Sequence, residues 1–292
     1  MHKSVDSLSQ WLDQIASWTL LTGAGLSADS GIPTYRDHKG QWLGAQPIQH
    51  QEFIDNPAKR RRYWSRSAVG WPAVSAARPT ALHDALAAFE HQGRVRSIIT
   101  QNVDRLHQTA GSQQVIDLHG RLDQVCCLGC GASEHRDSVQ RRLLTSNPHL
   151  EAHSAAPKPD GDADIADELV AMTQPPECLV CNGVLMPDVV FFGGSVPKER
   201  VQHCLSSLDN SDGFMVVGSS LQVFSGYRFV KYARDLGIPI IVINRGITRG
   251  DVLATAKFDQ LPFDVVADLF TQACNAHVFT ASTTTASTET PL

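Results

Sequence analysis

The chain has 292 residues, 42% of them hydrophobic, and a formal net charge of −5. That length can bury one sizeable core and a smaller satellite module, while the acidic balance gives no general basic field for nucleic acid. No window reaches the ~18 apolar residues of a membrane span, and the polar stretch from Met1 to Trp18 lacks the apolar centre of a signal peptide, so the expected setting is cytoplasmic, where structural disulfides are uncommon.

In chain order, the apolar residues 18–22 read as a strand. They lead into Gly23-Ala24-Gly25-Leu26-Ser27-Ala28-Asp29-Ser30-Gly31-Ile32-Pro33-Thr34-Tyr35-Arg36. Three glycines in nine positions after a strand can bring backbone N–H groups against a pyrophosphate, although glycine also serves any loop that needs positive φ. Pro33 stops the helix that an ordinary dinucleotide fold would continue. No second strand ends in Asp or Glu about 20 residues on, where Ala45 stands instead. Residues 34–40, with Arg36, Asp37 and Lys39, read as a loop that folds over a bound cofactor. Residues 47–71 are rich in Arg, Trp and Gln without a strand signal and read as a helical insertion; Arg60-Arg61-Arg62 within it suits a solvated helix face.

Further strand-like runs fall at 95–100, 115–118, 189–192, 214–217, 238–243 and 263–266. Several are near-continuous in Val and Ile, as in parallel strands covered on both faces. Helical patterns at 80–91 and 227–236 alternate with them. The expected fold is α/β, a Rossmann-like open parallel sheet assembled from 1–46, 72–119 and 194–275. The helical insertion occupies 47–71, and a zinc-binding module with its return strand occupies 120–193. Residues 276–292, dominated toward their end by Ser, Thr and Ala, are expected to be a disordered tail.

Seven cysteines need another explanation than disulfides. Cys127-Leu-Gly-Cys130 and Cys178-Leu-Val-Cys181 are two knuckles, each able to turn two thiolates onto one ion. Four thiolates close a tetrahedral shell, so the expected zinc is structural, with no open position for catalysis. Between the knuckles, Pro157-Lys-Pro-Asp-Gly-Asp-Ala-Asp is a turn-rich insertion expected to loop out without disturbing them. Cys126 adjoins the first knuckle, but the C-x2-C register selects Cys127. Cys204 and Cys274 read as small buried residues.

Ligands of an open parallel sheet bind beyond the carboxyl ends of its strands. The residues there are Thr100-Gln101-Asn102-Val103-Asp104, His119-Gly120, Gly218-Ser219-Ser220 and Asn244-Arg245-Gly246. Any one of these suits a cap or a turn. Together with the glycine run they converge on one crevice.

These residues resemble the sirtuin family. The likeness runs in family order through Gly23 to Pro33, Gln101-Asn102-Val103-Asp104, Leu118-His119-Gly120, both cysteine knuckles, Pro187-Asp188-Val189-Val190-Phe191-Phe192-Gly193 and Gly218-Ser219-Ser220-Leu221-Gln222-Val223. It covers roughly residues 18–269. Pro47-Ile48-Gln49-His50, Arg62-Tyr63-Trp64, Val69-Gly70-Trp71-Pro72 and Ser225-Gly226-Tyr227-Arg228-Phe229 look most like the class II, sirtuin 4-like branch, which includes bacterial members.

The resemblance implies an NAD-dependent protein-lysine deacylase that moves the acyl group to ADP-ribose and releases nicotinamide and O-acyl-ADP-ribose. It assigns His119 as the catalytic base, a role suited to an imidazole titrating near neutrality, and Asn102 and Asp104 as the pair that holds the nicotinamide carboxamide. It places NAD against Gly23, Ala24, Gly25, Ser27, Gly31, Ile32, Pro33, Tyr35 and Arg36, then Gln101, Asn102 and Asp104, and finally Gly218, Ser219, Ser220, Asn244, Arg245 and Gly246. Val190, Phe191, Phe192 and Gly193 would receive an acylated-lysine peptide by strand pairing; Gly194 stands where the family commonly has an acidic residue. Cys127, Cys130, Cys178 and Cys181 would hold one structural zinc. Tyr63-Trp-Ser-Arg66 has the Tyr-x-x-Arg spacing of class III relatives that accept acidic acyl groups, set against helix packing plus a surface cation. The implied partners are acyl-lysine proteins, with no membrane and no nucleic acid. A mono-ADP-ribosyltransferase and an NAD-binding sensor with feeble turnover are the alternatives.

Overall fold

Nine strands alternate with helices in the computed structural model, which describes residues 5–44 and 46–284. They are β1 (Trp18–Thr22), β2 (Val95–Thr100), β3 (Val115–Asp117), β4 (Gly120–Cys127), β5 (Ser133–His135), β6 (Leu185–Val189), β7 (Gly213–Val217), β8 (Ile240–Ile243) and β9 (Ala256–Phe258). Six form one sheet in the order β3-β2-β1-β7-β8-β9, parallel throughout. Counted within the sheet this is the doubly wound order 3-2-1-4-5-6, and the order reverses between β1 and β7.

Each central strand feeds two cores because successive side chains point to opposite faces. Trp18 and Leu20 join Leu8, Leu86, Phe89 and Phe270 on one face, under helices Val5–Gln14, Ala81–His91 and Phe263–Thr284. Leu21 faces the other way, toward Leu208, Phe229 and Val230 of helices Lys198–Asp209 and Phe224–Asp235. Burial on both faces explains why β7 and β8 carry no charged or hydroxyl residue, while the two threonines of β1 are buried with their hydroxyls bonded to Ser211 and Thr100.

The smaller module is an antiparallel sheet ordered β5-β4-β6, covered by helix Arg136–Ser146 and by helix Pro57–Ala76. The latter starts where the Asn56 side chain accepts from the backbone N–H of Ala58 at 2.9 Å, with Pro57 fixing φ in the first turn. Arg136, only 1% exposed, is sandwiched between Trp64 (5.4 Å) and Trp71 (5.2 Å) of that helix and donates to the Ser67 carbonyl. Trp64, Val125, Cys127, Cys178 and Leu185 share one apolar cluster. The helical insertion and the cysteine module therefore have a common core.

Several expected boundaries move. Residues 263–266 begin the helix Phe263–Thr284; a four-residue apolar run does not distinguish strand from buried helix, and the preceding Pro262 with Asp264 in the first turn favours the helix start. The last strand is instead β9. The strand in the 189–192 region ends at Val189, after which Phe192 makes one isolated parallel bridge to Gln49, and the last helix of the insertion expected over 47–71 runs on through Pro72 to Ala76. The tail expected to be disordered from 276 is helical to Thr284; residues 285–292 lie outside the described residues.

Candidate active site

A cleft of about 1780 Å³ opens at the carboxyl ends of the parallel strands, larger than the ~300–1,000 Å³ of an ordinary small-molecule site. Its floor is where β1 and β7 release their chains. The Gly23 N–H donates to the Val217 carbonyl at 3.1 Å and the Gly25 N–H to the Gly218 carbonyl at 2.9 Å. A Cβ on Gly25 would stand 2.9 Å from that carbonyl oxygen, and one on Gly218, at φ 64°, would stand 2.6 Å from the Leu26 nitrogen. Only glycine lets the two turns close on each other. Residues Ala24–Ser30 form a 3₁₀ helix ended by Gly31 at φ 84°, so the helix does stop before Pro33.

Asn102 sits at the inner end of this floor. Its Nδ2 donates to the Gly23 carbonyl at 3.1 Å and to Ser27 Oγ at 3.0 Å, and Ser27 Oγ donates to Asp104 Oδ2 at 2.7 Å. Asp104 Oδ1 accepts from the Leu106 N–H at 2.9 Å. Both Asn102 amide hydrogens are thus committed, which fixes the orientation of the amide. Its Oδ1 borders the cleft as an acceptor for an amide N–H, which suits a carboxamide. Asp104 is a supporting group behind Ser27, and burial raises its carboxyl pKa above the usual range.

His119 follows β3. Its Nδ1 lies 3.0 Å from the Gln101 carbonyl, an acceptor only, so Nδ1 carries the proton and Nε2 the lone pair. Ser225 Oγ donates to that Nε2 at 2.7 Å. Burial pushes the imidazole down to about 4, against the upward pull of the Gln101 carbonyl, and the cations Arg200 and Arg228 depress it further. The ring is a neutral base over the whole physiological range.

Beyond His119 the cleft becomes aromatic. Tyr35, Trp42 and Phe192 meet edge to face at 5.4–6.0 Å, and the Val190 N–H donates to the His119 carbonyl at 2.7 Å. Tyr63 packs on Phe191 at 5.3 Å. The insertion at 157–164 does not loop out as expected but folds onto helix Pro57–Ala76: a Cβ on Gly70 would stand 2.2 Å from the Gly161 carbonyl oxygen. Asp160 there accepts from the Tyr35 hydroxyl, and burial lifts its carboxyl to about 6. Asp162 grips Arg66 by two bonds of 2.7 Å.

The four knuckle cysteines bring their Sγ atoms within 4.8 Å of one another, with Cys127 to Cys181 at 3.5 Å and Cys130 to Cys178 at 3.7 Å. Zn–S bonds of ~2.3 Å place tetrahedral sulfurs about 3.8 Å apart, so the set fits zinc. Backbone N–H groups of Gly129 and Val180 donate to Cys127 and Cys178, as suits thiolates. Cys126 instead faces Ser133.

Of the residues expected at NAD, Gly23, Ala24, Gly25, Pro33, Tyr35, Arg36, Gln101, Asn102, Gly218, Ser219, Ser220, Asn244 and Arg245 line the cleft, as do His119 and the peptide residues Val190 to Gly193. Ser27 and Asp104 stand behind Asn102. Ile32 belongs to an apolar cluster with Val103 and Leu122, Gly31 is the helix stop, and Gly246, at φ 83°, packs on His38. Arg36 turns back to the Gly40 carbonyl at 2.8 Å and over Trp42 at 3.9 Å. Sequence reading missed Ser225, Asp160 and Asp162 as wall residues; a serine in a first helical turn and a polar turn carry no sign of what they will face.

The Sir2 family pattern matches residues 23–225. A protein of Xanthomonas axonopodis pv. citri (strain 306), named NAD-dependent protein deacetylase, is 50% identical over 254 residues, covering 87% of each chain. A Bordetella bronchiseptica protein of the same name is 47% identical over 250 residues, 86% of this chain and 91% of that one. Among solved structures, a Sir2 variant with deacetylated p53 peptide and 3′-O-acetyl ADP ribose superposes with a TM-score of 0.74 at 26% identity, covering 92% of this chain and 98% of that one. Another Sir2 enzyme structure gives 0.73 at 28% identity, over 94% and 100%.

Proposed function

The chain belongs to the Sir2 family, and we propose that it is an NAD-dependent protein-lysine deacetylase that transfers the acyl group of an acyl-lysine to ADP-ribose, releasing nicotinamide and O-acyl-ADP-ribose. The observation that carries this reading is the neutral His119, with its lone pair at Nε2, set between the Asn102 pocket and the Val190 to Gly193 segment.

Bound NAD supplies a ribose carbon made electrophilic by its bond to nicotinamide. The chain's own residues do the rest. Asn102 Oδ1 orients the carboxamide, with Ser27 and Asp104 holding Asn102 in place. The glycine turns of β1 and β7 offer backbone close enough for a pyrophosphate, and Asn244 and Arg245 line the far end. His119 Nε2 accepts a proton from a ribose hydroxyl, Nδ1 stays bonded to Gln101, and the imidazolium later returns the proton. The aromatic walls of Tyr35, Trp42 and Phe192 exclude water from the acyl-lysine. Asp162 occupies Arg66, which favours neutral acyl groups over acidic ones. The thiolate cluster would hold zinc structurally, since four protein ligands leave no open position.

No described helix is long and apolar enough to cross a membrane. A four-thiolate site suits a reducing compartment, and we assign the protein to the cytoplasm. The segments around Tyr63 and Ser225 support the class II branch.

The test is incubation of the purified protein with NAD and acetyl-, succinyl-, hydroxymethylglutaryl-, lipoyl- and long-chain acyl-lysine peptides, with products followed by mass spectrometry. Nicotinamide and O-acyl-ADP-ribose are expected in equal amounts. Nicotinamide accompanied by ADP-ribosylated protein, without O-acyl-ADP-ribose, would replace this reading with the ADP-ribosyltransferase one.

A further inference from the structure

We propose that Ser225 is a positioning residue for His119, holding Nε2 in the free enzyme and accepting its hydrogen bond once the ring has taken a proton. The inference rests on the deacetylase reading and adds to it the Ser225 contact. Ser225 is 9% exposed and lies in the first turn of helix Phe224–Asp235. Its hydroxyl oxygen is 2.7 Å from Nε2, the nitrogen that must do the chemistry, because Nδ1 is committed to the Gln101 carbonyl.

The contact is built from both sides by one residue. While the Gln101 backbone holds Nδ1, its side chain lies along the next residue after Ser225: a Cβ on Gly226 would stand 2.7 Å from Gln101 Oε1. Gln101 Nε2 in turn donates to Ser219 Oγ at 2.7 Å. Glycine at 226 is what lets the helix come close enough for Ser225 to reach the ring. The imidazole is thereby pinned at both nitrogens, Nδ1 by a main-chain carbonyl and Nε2 by a hydroxyl that can act as donor or acceptor.

That dual character matters because of the charges around the ring. Arg200 on helix Lys198–Asp209 and Arg228 on helix Phe224–Asp235 both disfavour the imidazolium. From the sheet side the neutral Gln101 faces it, and Asp117, two residues earlier, is engaged by Arg105 and Gln108. No carboxylate hydrogen-bonds the ring among the described residues. In the proton transfer the ribose O–H bond breaks and the Nε2–H bond forms. The Ser225 hydroxyl hydrogen rotates away, and its oxygen becomes an acceptor for Nε2–H. A charge-assisted hydrogen bond is roughly twice as strong as a neutral one, so the hydroxyl favours the protonated ring more than the neutral ring.

The experiment compares wild type, Ser225→Ala and Ser225→Thr by steady-state kinetics across pH and by NMR titration of the His119 imidazole. In S225A we expect kcat to fall about tenfold, less than the ~10²–10⁴ that the base itself contributes, with KM for NAD changed less than twofold. The His119 titration should move to lower pH, and S225T, which keeps the hydroxyl, should restore both. Unchanged kcat and titration in S225A would overturn the proposal. So would S225T behaving as S225A while its NAD affinity and melting temperature match wild type. The NMR arm needs no turnover, so a wild-type protein inactive on acyl-lysine would sink the deacetylase reading alone.

Discussion

Arg66 and Asp162 meet in a forked ion pair, Nε to Oδ1 and a terminal nitrogen to Oδ2, each at 2.7 Å. Asp162 holds the Nε edge of the guanidinium and Asp164 approaches the same terminal nitrogen at 3.4 Å, so an incoming carboxylate would meet two carboxylates already paired with this cation. The spacing from Tyr63 to Arg66 raised the idea of acidic acyl groups; the pairing argues for neutral ones. We expect kcat/KM for succinyl-lysine to lie at least about tenfold below that for acetyl-lysine. Asp162→Asn should shift the ratio toward succinyl several-fold. Wild-type protein that removes succinyl faster than acetyl would refute this reading of the wall.

His119 gives a prediction with a sign. Its folded pKa is depressed to about 4, so the base is deprotonated above that value and competent throughout the neutral range. The acidic limb of kcat/KM should therefore fall near pH 4 to 5, and His119 should cause no loss between pH 8 and 6. His119→Ala should lower kcat by about 10²–10⁴ while calorimetry still detects NAD binding. An acidic limb at 6.5 would mean that the ring is solvated in the working enzyme.

Elemental analysis should find one zinc per chain. Cys178 is 1% exposed and shares a cluster with Trp64, so Cys178→Ser should release the metal, lower the melting temperature and shift tryptophan emission to the red. Full zinc occupancy in that variant would show that the four thiolates do not act as one site.

A buried histidine pair sets acid stability. His83 and His107 pack at 4.9 Å between ring centroids, with His83 Nε2 and His107 Nδ1 buried and without hydrogen-bond partners among the described residues. Burial lowers His83 to about 4 and His107 below its ordinary value, with His83 adding to the effect. The native state then binds fewer protons than the unfolded chain, so stability is full above the unfolded pKa near 6.5 and declines as pH falls toward 4. His83 alone accounts for on the order of 2 kcal/mol by pH 5. Thermal melts from pH 7.5 to 5 should show the loss, and His83→Gln, which can keep the cap at Thr80, should flatten it. A pH-independent difference between the two proteins would contradict this assignment.

The sheet was legible where strands are buried on both faces. The runs at 95–100 and 214–217 announce themselves by composition, and the polar residues after them mark the cleft. The zinc set followed from spacing alone. Asp160, Asp162 and Ser225 were not legible, because a polar residue in a turn or a first helical turn has the same local signature whether it faces water or a substrate. Phe263 misled for a related reason: four apolar residues are too short to show a period.

Arg136, wedged between Trp64 and Trp71, rivets the helix that carries Tyr63 and Arg66 to the ribbon that carries the cysteines. The far wall of the cleft is thus a single mechanical jaw, hung from the nucleotide-binding sheet by the chain crossings that bound it. Oxidants that strip the thiolates would loosen the end that chooses the acyl group, while the glycine turns that receive NAD are braced from the other side by β1 and β7. Substrate choice is the first property such damage would erode.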